Sequence, residues 1–409
     1  MINCFIPFLS LPQARQTVRA LGLCDRIKNI YLLATEKIPD EVEGCEMLMI
    51  DSPASTATFR TIALHADTAY TLLYTKYTAF EPGQFAFERL LAIAGDTNAG
   101  MLYADRYLLK NGNSQQAPVI DYQKGSLRDD FDFGSLLFFR SSVLKQAVRA
   151  MDADYRFAGL YDLRLRVSEL AELVHVNEYL YSEVETDIRK SGEKLFDYVD
   201  PKNRAVQIEM EAVCTAYLKR VGGYLAPDFE PVTFDAGGFE QEASVIIPVR
   251  NRIRTIEDAI RSVLAQKTTF RFNLIIVDNH STDGTSEAIG KYTADGRVVH
   301  LVPERSDLGI GGCWNVGVHH PACGKFAVQL DSDDVYSGPD TLQKIVDAFY
   351  EQNCAMVVGT YRMTDFKMNE IPPGIIDHRE WTLENGRNNA LRINGLGAPR
   401  AFYTPVLRR

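Results

Sequence analysis

The sequence predicts an α/β protein: two similar open-sheet units joined by a helical connector. Three observations carry that reading. Short apolar runs alternate with stretches of helical period along the chain, the order expected of parallel-sheet proteins. Four segments recur in the same sequence in each half. Between the halves, from about Thr186 to Ala243, the chain becomes charged and then rich in Gly and Pro, as linkers are. At 409 residues with 46% apolar content, the chain can give each unit its own core.

Taken in order, Asn3 to Leu9 reads as a first strand, followed by a helix with Ala14, Val18 and Leu21 on one face. Strands follow at Ile30 to Leu33, Tyr70 to Tyr74 and Met101 to Tyr103, with a helix carrying Phe87, Leu90, Leu91 and Ala94 before the last of them. The first unit closes near residue 185. Residues 186–243 read as a connector helix, with Val206, Met210, Val213, Tyr217 and Val221 in register, and then a linker. The second unit, 244–409, opens on the fully apolar run SVIIPV. A helix with Ile256, Ile260, Val263 and Leu264 on one face comes next, and Thr255 with Asp258 reads as its capping box. Further strands fall at Leu274 to Val277, Val298 to Val302, Phe326 to Leu330 and Ala355 to Gly359.

The repeat is physical as well as textual. SVIIPVRN matches NCFIPFLS, LIIVDN matches IYLLAT, and GAPRAFYTPVL matches GSLLFFRSSVL; setting Pro339 beside Pro82 aligns QLDSDDVYSGPD with LLYTKYTAFEPG. Where the second half has Asp278 the first has Ala34. Where it has Asp331, Asp333 and Asp334 the first has Tyr74, Lys76 and Tyr77. A strand end without carboxylates cannot hold a divalent cation in the same way, so the first unit is expected to be a copy without a metal.

Bulk properties exclude several classes. The net charge is −10 with no block of Lys and Arg, which disfavours nucleic acid and anionic membranes as bulk partners. Seven scattered cysteines, none spaced C-x-x-C, argue against a disulfide framework or a zinc site and for a reducing compartment. The start lacks a signal-like n-region, and no apolar run reaches membrane-spanning length, so a cytoplasmic protein is expected, able to rest on the inner face of a membrane through a partner.

Chemistry concentrates at strand ends. Three carboxylates in four residues close the run Phe326 to Leu330, and acids spaced D-x-D at the carboxyl end of a buried strand can share a hard divalent cation with a diphosphate. The same acids could instead cap the helix that begins near Pro339. Together SVIIPVRNR, IIVDNHSTDGT, RSDLGIGGCWNVGV and LDSDDVYSGPD, in that order, resemble a family 2 glycosyltransferase of the GT-A fold, and the first unit resembles it in outline. The resemblance implies two GT-A-like, Rossmann-like domains, a nucleotide-sugar donor (a UDP-sugar favoured), Mn²⁺ or Mg²⁺, and a glycan acceptor of a bacterial polysaccharide.

By the same resemblance, Pro248 to Asn251 would pass beneath the base. Asp278 would accept from the base edge or ribose, beside Asn279 where many relatives carry a second acid. Asp331 and Asp333 would meet ribose and metal-diphosphate, and Asp333 and Asp334 would hold the metal. An ordinary Asx turn around Ser281 to Gly284 is the rival for Asp278 and Asp283. Gly309, Gly311 and Gly312 either let backbone approach the donor, or start the helix holding Trp314 and Asn315, or make a tight turn without a ligand; a nicotinamide reading fails for want of the full glycine spacing and of the acid expected about 20 residues later. His280, His319, His320 and His378 have no ligand spacing and read as packed or solvated.

An inverting hexosyl transfer also needs a general base. The family places it after the segment matching GAPRAFYTPVL, a stretch this chain, ending at Arg409, is expected to lack. Asp162 occupies that place in the first unit, where a base acting across domains is weighed against a structural hydrogen bond within its own unit. The rival function is a non-catalytic nucleotide-sugar or glycan-binding scaffold for a partner transferase. A nucleotidyltransferase is disfavoured because VRNRIRT has arginines without a Gly-rich phosphate loop.

Overall fold

The computed structural model describes all residues except 38–40, 111, 185–199, 236, 394–395 and 398. The chain divides into two compact units: Met1–Tyr224 with Arg379–Gly395, and Leu225–His378 with Leu396–Arg409. Both are α/β. Among the described residues no helix is long and apolar enough to cross a membrane, and all seven cysteines are free.

In the first unit the strands are β1 (Ile2–Pro7), β2 (Ile27–Ala34), β3 (Glu46–Met49), β4 (Tyr70–Tyr74), β5 (Phe80–Pro82), β6 (Met101–Lys110), β7 (Asn113–Ala117), β8 (Leu136–Arg140) and β9 (Leu173–Val184). They form one sheet in the order β3-β2-β1-β4-β8-β6-β9-β5, with β7 paired to β6. In the second unit β10 (Ala243–Val249), β11 (Phe272–Asp278), β12 (Val298–Leu301), β13 (Phe326–Gln329), β14 (Met356–Val358) and β17 (Arg400–Tyr403) form a sheet in the order β12-β11-β10-β13-β17-β14. A hairpin, β15 (Tyr361–Thr364) with β16 (Glu370–Ile376), stands apart from it.

The order β3-β2-β1-β4-β8-β6 repeats strand for strand in β12-β11-β10-β13-β17-β14, including the antiparallel β8 and β17. The four matched segments are therefore equivalent strands. The ladders also correct one alignment. Asn3 pairs with Thr71 where Ser244 pairs with Ala327, and Thr71 pairs with Phe139 where Ala327 pairs with Phe402. Carried forward, this register sets Thr75, Tyr77 and Thr78, rather than Tyr74, Lys76 and Tyr77, opposite Asp331, Asp333 and Asp334. The proline match fixed the turn before the helix, whereas strand register is fixed by the ladder. The first unit still has no carboxylate there. Its Lys76 reaches instead to Glu183, fully buried on β9, at 2.7 Å, and Arg106 reaches the same carboxylate at 3.0 Å. Lys76→Ala is accordingly expected to leave nucleotide affinity unchanged in a titration and to lower thermal stability.

The connector helix, Arg204–Arg220, forms as its periodicity predicts, but as part of the first unit. It packs Val213, Cys214 and Tyr217 against Leu127, Ala158, Tyr161 and Leu165 and so belongs to the first unit. The charged stretch assigned to the start of that connector lies largely in 185–199, outside the described residues. The first unit also takes back residues Arg379–Gly395. There Arg392, wholly buried, pairs with Asp129 and lies 3.7 Å from Glu211, while Asn388 donates to Glu211. Burial pushes the Glu211 carboxyl up, and the charge of Arg392 offsets part of that.

In the second unit, the apolar residues of β10, β11 and β13 alternate between two cores. Val245, Ile247, Leu274 and Ile276 join the helices Ile256–Leu264 and Thr341–Gln352, and Ile246, Ile275 and Val277 meet the helix Gly309–His319. The glycine-rich stretch is thus a helix lying on the sheet. It approaches so closely that a Cβ at Gly317 would stand 2.6 Å from Cγ2 of Ile246. Gly317→Ala is expected to destabilise the second unit by about 1–3 kcal/mol in denaturant unfolding, since the sheet cannot retreat.

Candidate functional site

β10 has β11 on one side and β13 on the other, and all three run parallel. The chain leaves β10 in one direction and returns to β13 from the other, so the loops after these strands diverge at a crevice along the carboxyl edge of the sheet. Strand order alone therefore brings three stretches distant in sequence to one place.

The β10 and β11 loops are stitched together. Asn251, in the left-handed region at φ 55, donates its N–H to Ser281 Oγ at 2.9 Å and accepts from the Thr282 N–H at 2.7 Å. Arg252 N–H donates to Thr285 Oγ1 at 2.8 Å, and Ile253 N–H to Asp283 at 3.2 Å. Asp283 also accepts from the Thr285 hydroxyl and N–H, so it serves the turn. These bonds explain the spacing of STDGT better than any ligand does.

Asp278 is fully buried. One carboxylate oxygen accepts from the Ser281 N–H at 2.9 Å and the other from the Ser286 hydroxyl, with His300 Nε2 at 3.6 Å. Burial alone would push this carboxyl up, but the hydrogen bonds from Ser286 and Ser281 and the neighbouring His300 outweigh it and hold it below the usual range. Its oxygens are engaged within the loop. Next to it Asn279, 6% exposed, keeps a side-chain oxygen without a hydrogen-bond partner among the described residues. His280, at φ 58, likewise has Nε2 unpartnered. Pro248 is not in the loop; it is the penultimate residue of β10, buried opposite Val277, and the loop starts after Val249. The run SVIIPV was long enough to continue the strand past the proline.

The third loop carries the acids. Asp331 accepts from Gln329 Nε2 at 3.1 Å, and Gln329 in turn accepts from Arg400 Nε at 2.7 Å. Arg252 Nε lies 3.6 Å from Asp333, a half-exposed pair. Thr255 does not cap its helix: its hydroxyl donates to the Ser332 carbonyl at 2.9 Å and ties the β10 loop to the acid loop. Asp258 turns away to Arg261. Asp333 and Asp334 do not cap the following helix either, which starts at Thr341 behind Asp340.

The Asp334 carboxyl is pushed up to about 6, chiefly by desolvation and further by the charges of Asp331 and Asp333. Its outer edge nevertheless remains exposed. Three carboxylates on one loop, with Asp334 among them held back from ionising, are a donor set a hard divalent cation would relieve. Among the described residues the side chains stop short of a preformed chelate; the groups already within 4.8 Å of one another are Cys24, Asp25 and Glu88, on the first unit.

The remaining residues singled out from sequence do not join this edge as ligands. His319 Nδ1 is bonded to the Asn315 carbonyl, and His320 accepts from the Ala322 N–H. Asp162, in the helix Gly159–Leu170 of the first unit, is buried against Arg166 at 2.9 and 3.0 Å, with Arg220 at 3.8 Å. Desolvation pushes its carboxyl up and Arg166 counters this. Sequence reading gave no role to Ser286, Arg252, Gln329 or Arg400; the last three lie in segments it quoted, and Ser286 lies just past the end of one.

Residues 244–405 match the model of glycosyl transferase family 2. Over 120 residues the chain is 33% identical to TuaG of Bacillus subtilis (strain 168), a glycosyltransferase assigned to teichuronic acid biosynthesis, covering 29% of this chain and 46% of that protein. Over 97 residues it is 38% identical to an uncharacterized glycosyltransferase of Rickettsia conorii, 24% of this chain and 15% of that one. The matches thus span less than half the length of these relatives. Among solved structures, S. aureus TarS 1-349 in complex with UDP-GlcNAc is similar over 41% of this chain and 46% of that chain, at 25% identity and a TM-score of 0.33.

Proposed function

We propose, from the match of residues 244–405 to glycosyl transferase family 2, that the second unit binds a nucleotide sugar at the β10–β11–β13 edge and transfers the sugar to a glycan acceptor in bacterial polysaccharide synthesis. The observation that carries the reading is the crowding of three carboxylates on one loop at the topological switch point, where desolvation first and the charges of Asp331 and Asp333 second push the Asp334 carboxyl up. Asp333 and Asp334 would hold Mn²⁺ or Mg²⁺. The bound cation would neutralise charge on the departing diphosphate. Asp331, kept in place by Gln329 and Arg400, would face the ribose.

The unpartnered oxygen of Asn279 is the acceptor that supports a base contact, since a buried acceptor without a donor costs about 1–3 kcal/mol that a base N–H would recover. Asp278 then works one step back. It holds the turn that sets Asn279 and Asn251 in place. Asp278→Ala is expected to weaken nucleotide affinity about 5- to 10-fold with or without metal, through loss of two hydrogen bonds to a buried carboxylate. A loss confined to the metal-dependent part would assign Asp278 to the cation instead.

Calorimetric titration of UDP and GDP into the protein, with Mn²⁺ and then with EDTA, tests the site. Metal-dependent binding of one nucleotide is expected; binding of neither would remove the donor site. A second reading, a non-catalytic nucleotide-sugar or glycan-binding scaffold, is favoured by Asp162 being locked against Arg166 rather than available as a base. Slow release of nucleoside diphosphate from a nucleotide sugar separates the two, because a scaffold gives none.

A further inference from the structure

The loop after β10 carries three arginines at alternate positions, Arg250, Arg252 and Arg254, all exposed in a chain of net charge −10. Arg252 faces Asp333. Arg250 and Arg254 have no carboxylate partner among the described residues. Arg254 lies over the ring of Phe366, its guanidinium carbon 5.7 Å from the ring centroid. Phe366 sits at the tip of the β15–β16 hairpin and is 78% exposed.

That tip is built rather than loose. Asp365 accepts from the N–H groups of Lys367 and Asn369 at 2.8 and 2.9 Å and from Asn369 Nδ2 at 2.9 Å, and the Asp365 N–H donates to the Asn369 carbonyl at 2.9 Å. The neighbouring Glu370 is paired with Arg362. The acids of the hairpin are therefore used up locally, and the tip holds a large aromatic ring in water at a fixed place. Nothing in the packing of the second unit requires it there.

We propose that Arg254 and Phe366 form an acceptor subsite for an anionic glycan, one whose sugars carry carboxylate or phosphate groups. The apolar C–H face of a pyranose packs on an aromatic ring, and the guanidinium fork matches the oxygens of a carboxylate or phosphate. Position favours a substrate over a lipid surface. Arg254 adjoins Thr255, which is bonded to Ser332 between the acids. An occupant of this pair lies beside the acid loop, where a transferable sugar would be held; its place in the reaction rests on the donor-site reading above, while its binding does not.

The test titrates four probes against the full chain: oligogalacturonate (an acidic glycan), maltoheptaose (a neutral one), polyglutamate, and phosphatidylglycerol vesicles. Wild type is compared with Phe366→Ala and Arg254→Gln, both exposed substitutions, and UDP and GDP with Mn²⁺ serve as the control. Oligogalacturonate is expected to bind best and to lose about 5-fold or more in each variant, on the order of one cation–π or stacking contact, with nucleotide affinity unchanged. Unaltered oligogalacturonate binding in Phe366→Ala overturns the proposal, as does polyglutamate binding of equal strength and equal sensitivity. Vesicle binding that falls in both variants while oligogalacturonate does not would make the pair a membrane contact and overturn it too. Acidic-glycan binding that persists in a chain taking neither nucleotide supports this subsite and removes the donor-site reading alone.

Discussion

Asp334→Asn will separate function from stability in one substitution. With Mn²⁺ present, nucleotide affinity is expected to fall at least about 10-fold, as loss of an interaction at a metal site does; in EDTA it should not change. Metal-free stability should move the other way. The folded carboxyl sits at about 6 against an ordinary 3.8, so its ionisation opposes folding. That cost is absent below the ordinary carboxylate range, grows as the pH rises through 4 to 6, and is complete above it. The full shift of roughly two units would be about 3 kcal/mol, and solvent at the exposed edge reduces it to about 1 kcal/mol. Thermal unfolding in EDTA at neutral pH should therefore rise by about 2–4 °C in the variant, with the gain gone at pH 4. Asp333→Asn should lose metal-dependent affinity with a smaller gain, because it removes only one of the two like charges that push Asp334 up and takes from Arg252 a carboxylate at 3.6 Å. Unchanged nucleotide affinity in both variants would remove the metal assignment.

The second large effect is expected at Asp162. Replacing it with Asn leaves Arg166 buried with Asp152 alone on its other side, and leaves Arg220 with Glu169. Removing one partner of a buried pair costs about 3–5 kcal/mol. The first unit should unfold at a temperature lower by about 6–15 °C. Release of nucleoside diphosphate per folded molecule should not change. A stable variant with abolished turnover would reverse this and make Asp162 the base.

Much of this edge is legible in the sequence. Strands end where the apolar runs stop at Asp278 and Leu330, because a buried parallel strand needs apolar side chains on both faces. The four repeated segments were legible for the same reason and proved to be equivalent strands. What sequence could not supply was register and side-chain direction. The prolines Pro82 and Pro339 suggested an alignment one residue away from the one the ladders impose. Thr255 looked like a cap, yet its hydroxyl found a carbonyl in a loop far along the chain. Asp278 had the composition of a ligand contact, and burial beside Ser286 made it a brace. The register and the Thr255 bond are long-range, which local pattern does not encode, and the Asp278 bonds, though local, depend on which way its side chain turns.

The return of Arg379–Gly395 to the first unit bears on how the chain is made. Residues Met1–Tyr224 leave the ribosome first, yet Arg392, whose guanidinium meets Asp129 and Glu211 in that unit, is synthesised long after them. Until it arrives, two carboxylates there wait without the cation that lets them be buried. Of the two units, the one begun earlier is completed only after most of the other has been synthesised, and its completion requires a loop closure across most of the second unit, the kind of contact that slows folding. Release of the chain before Arg392 should leave a first unit that is collapsed but unlocked at its Glu211 face, and more exposed to proteolysis than the same residues in the whole chain.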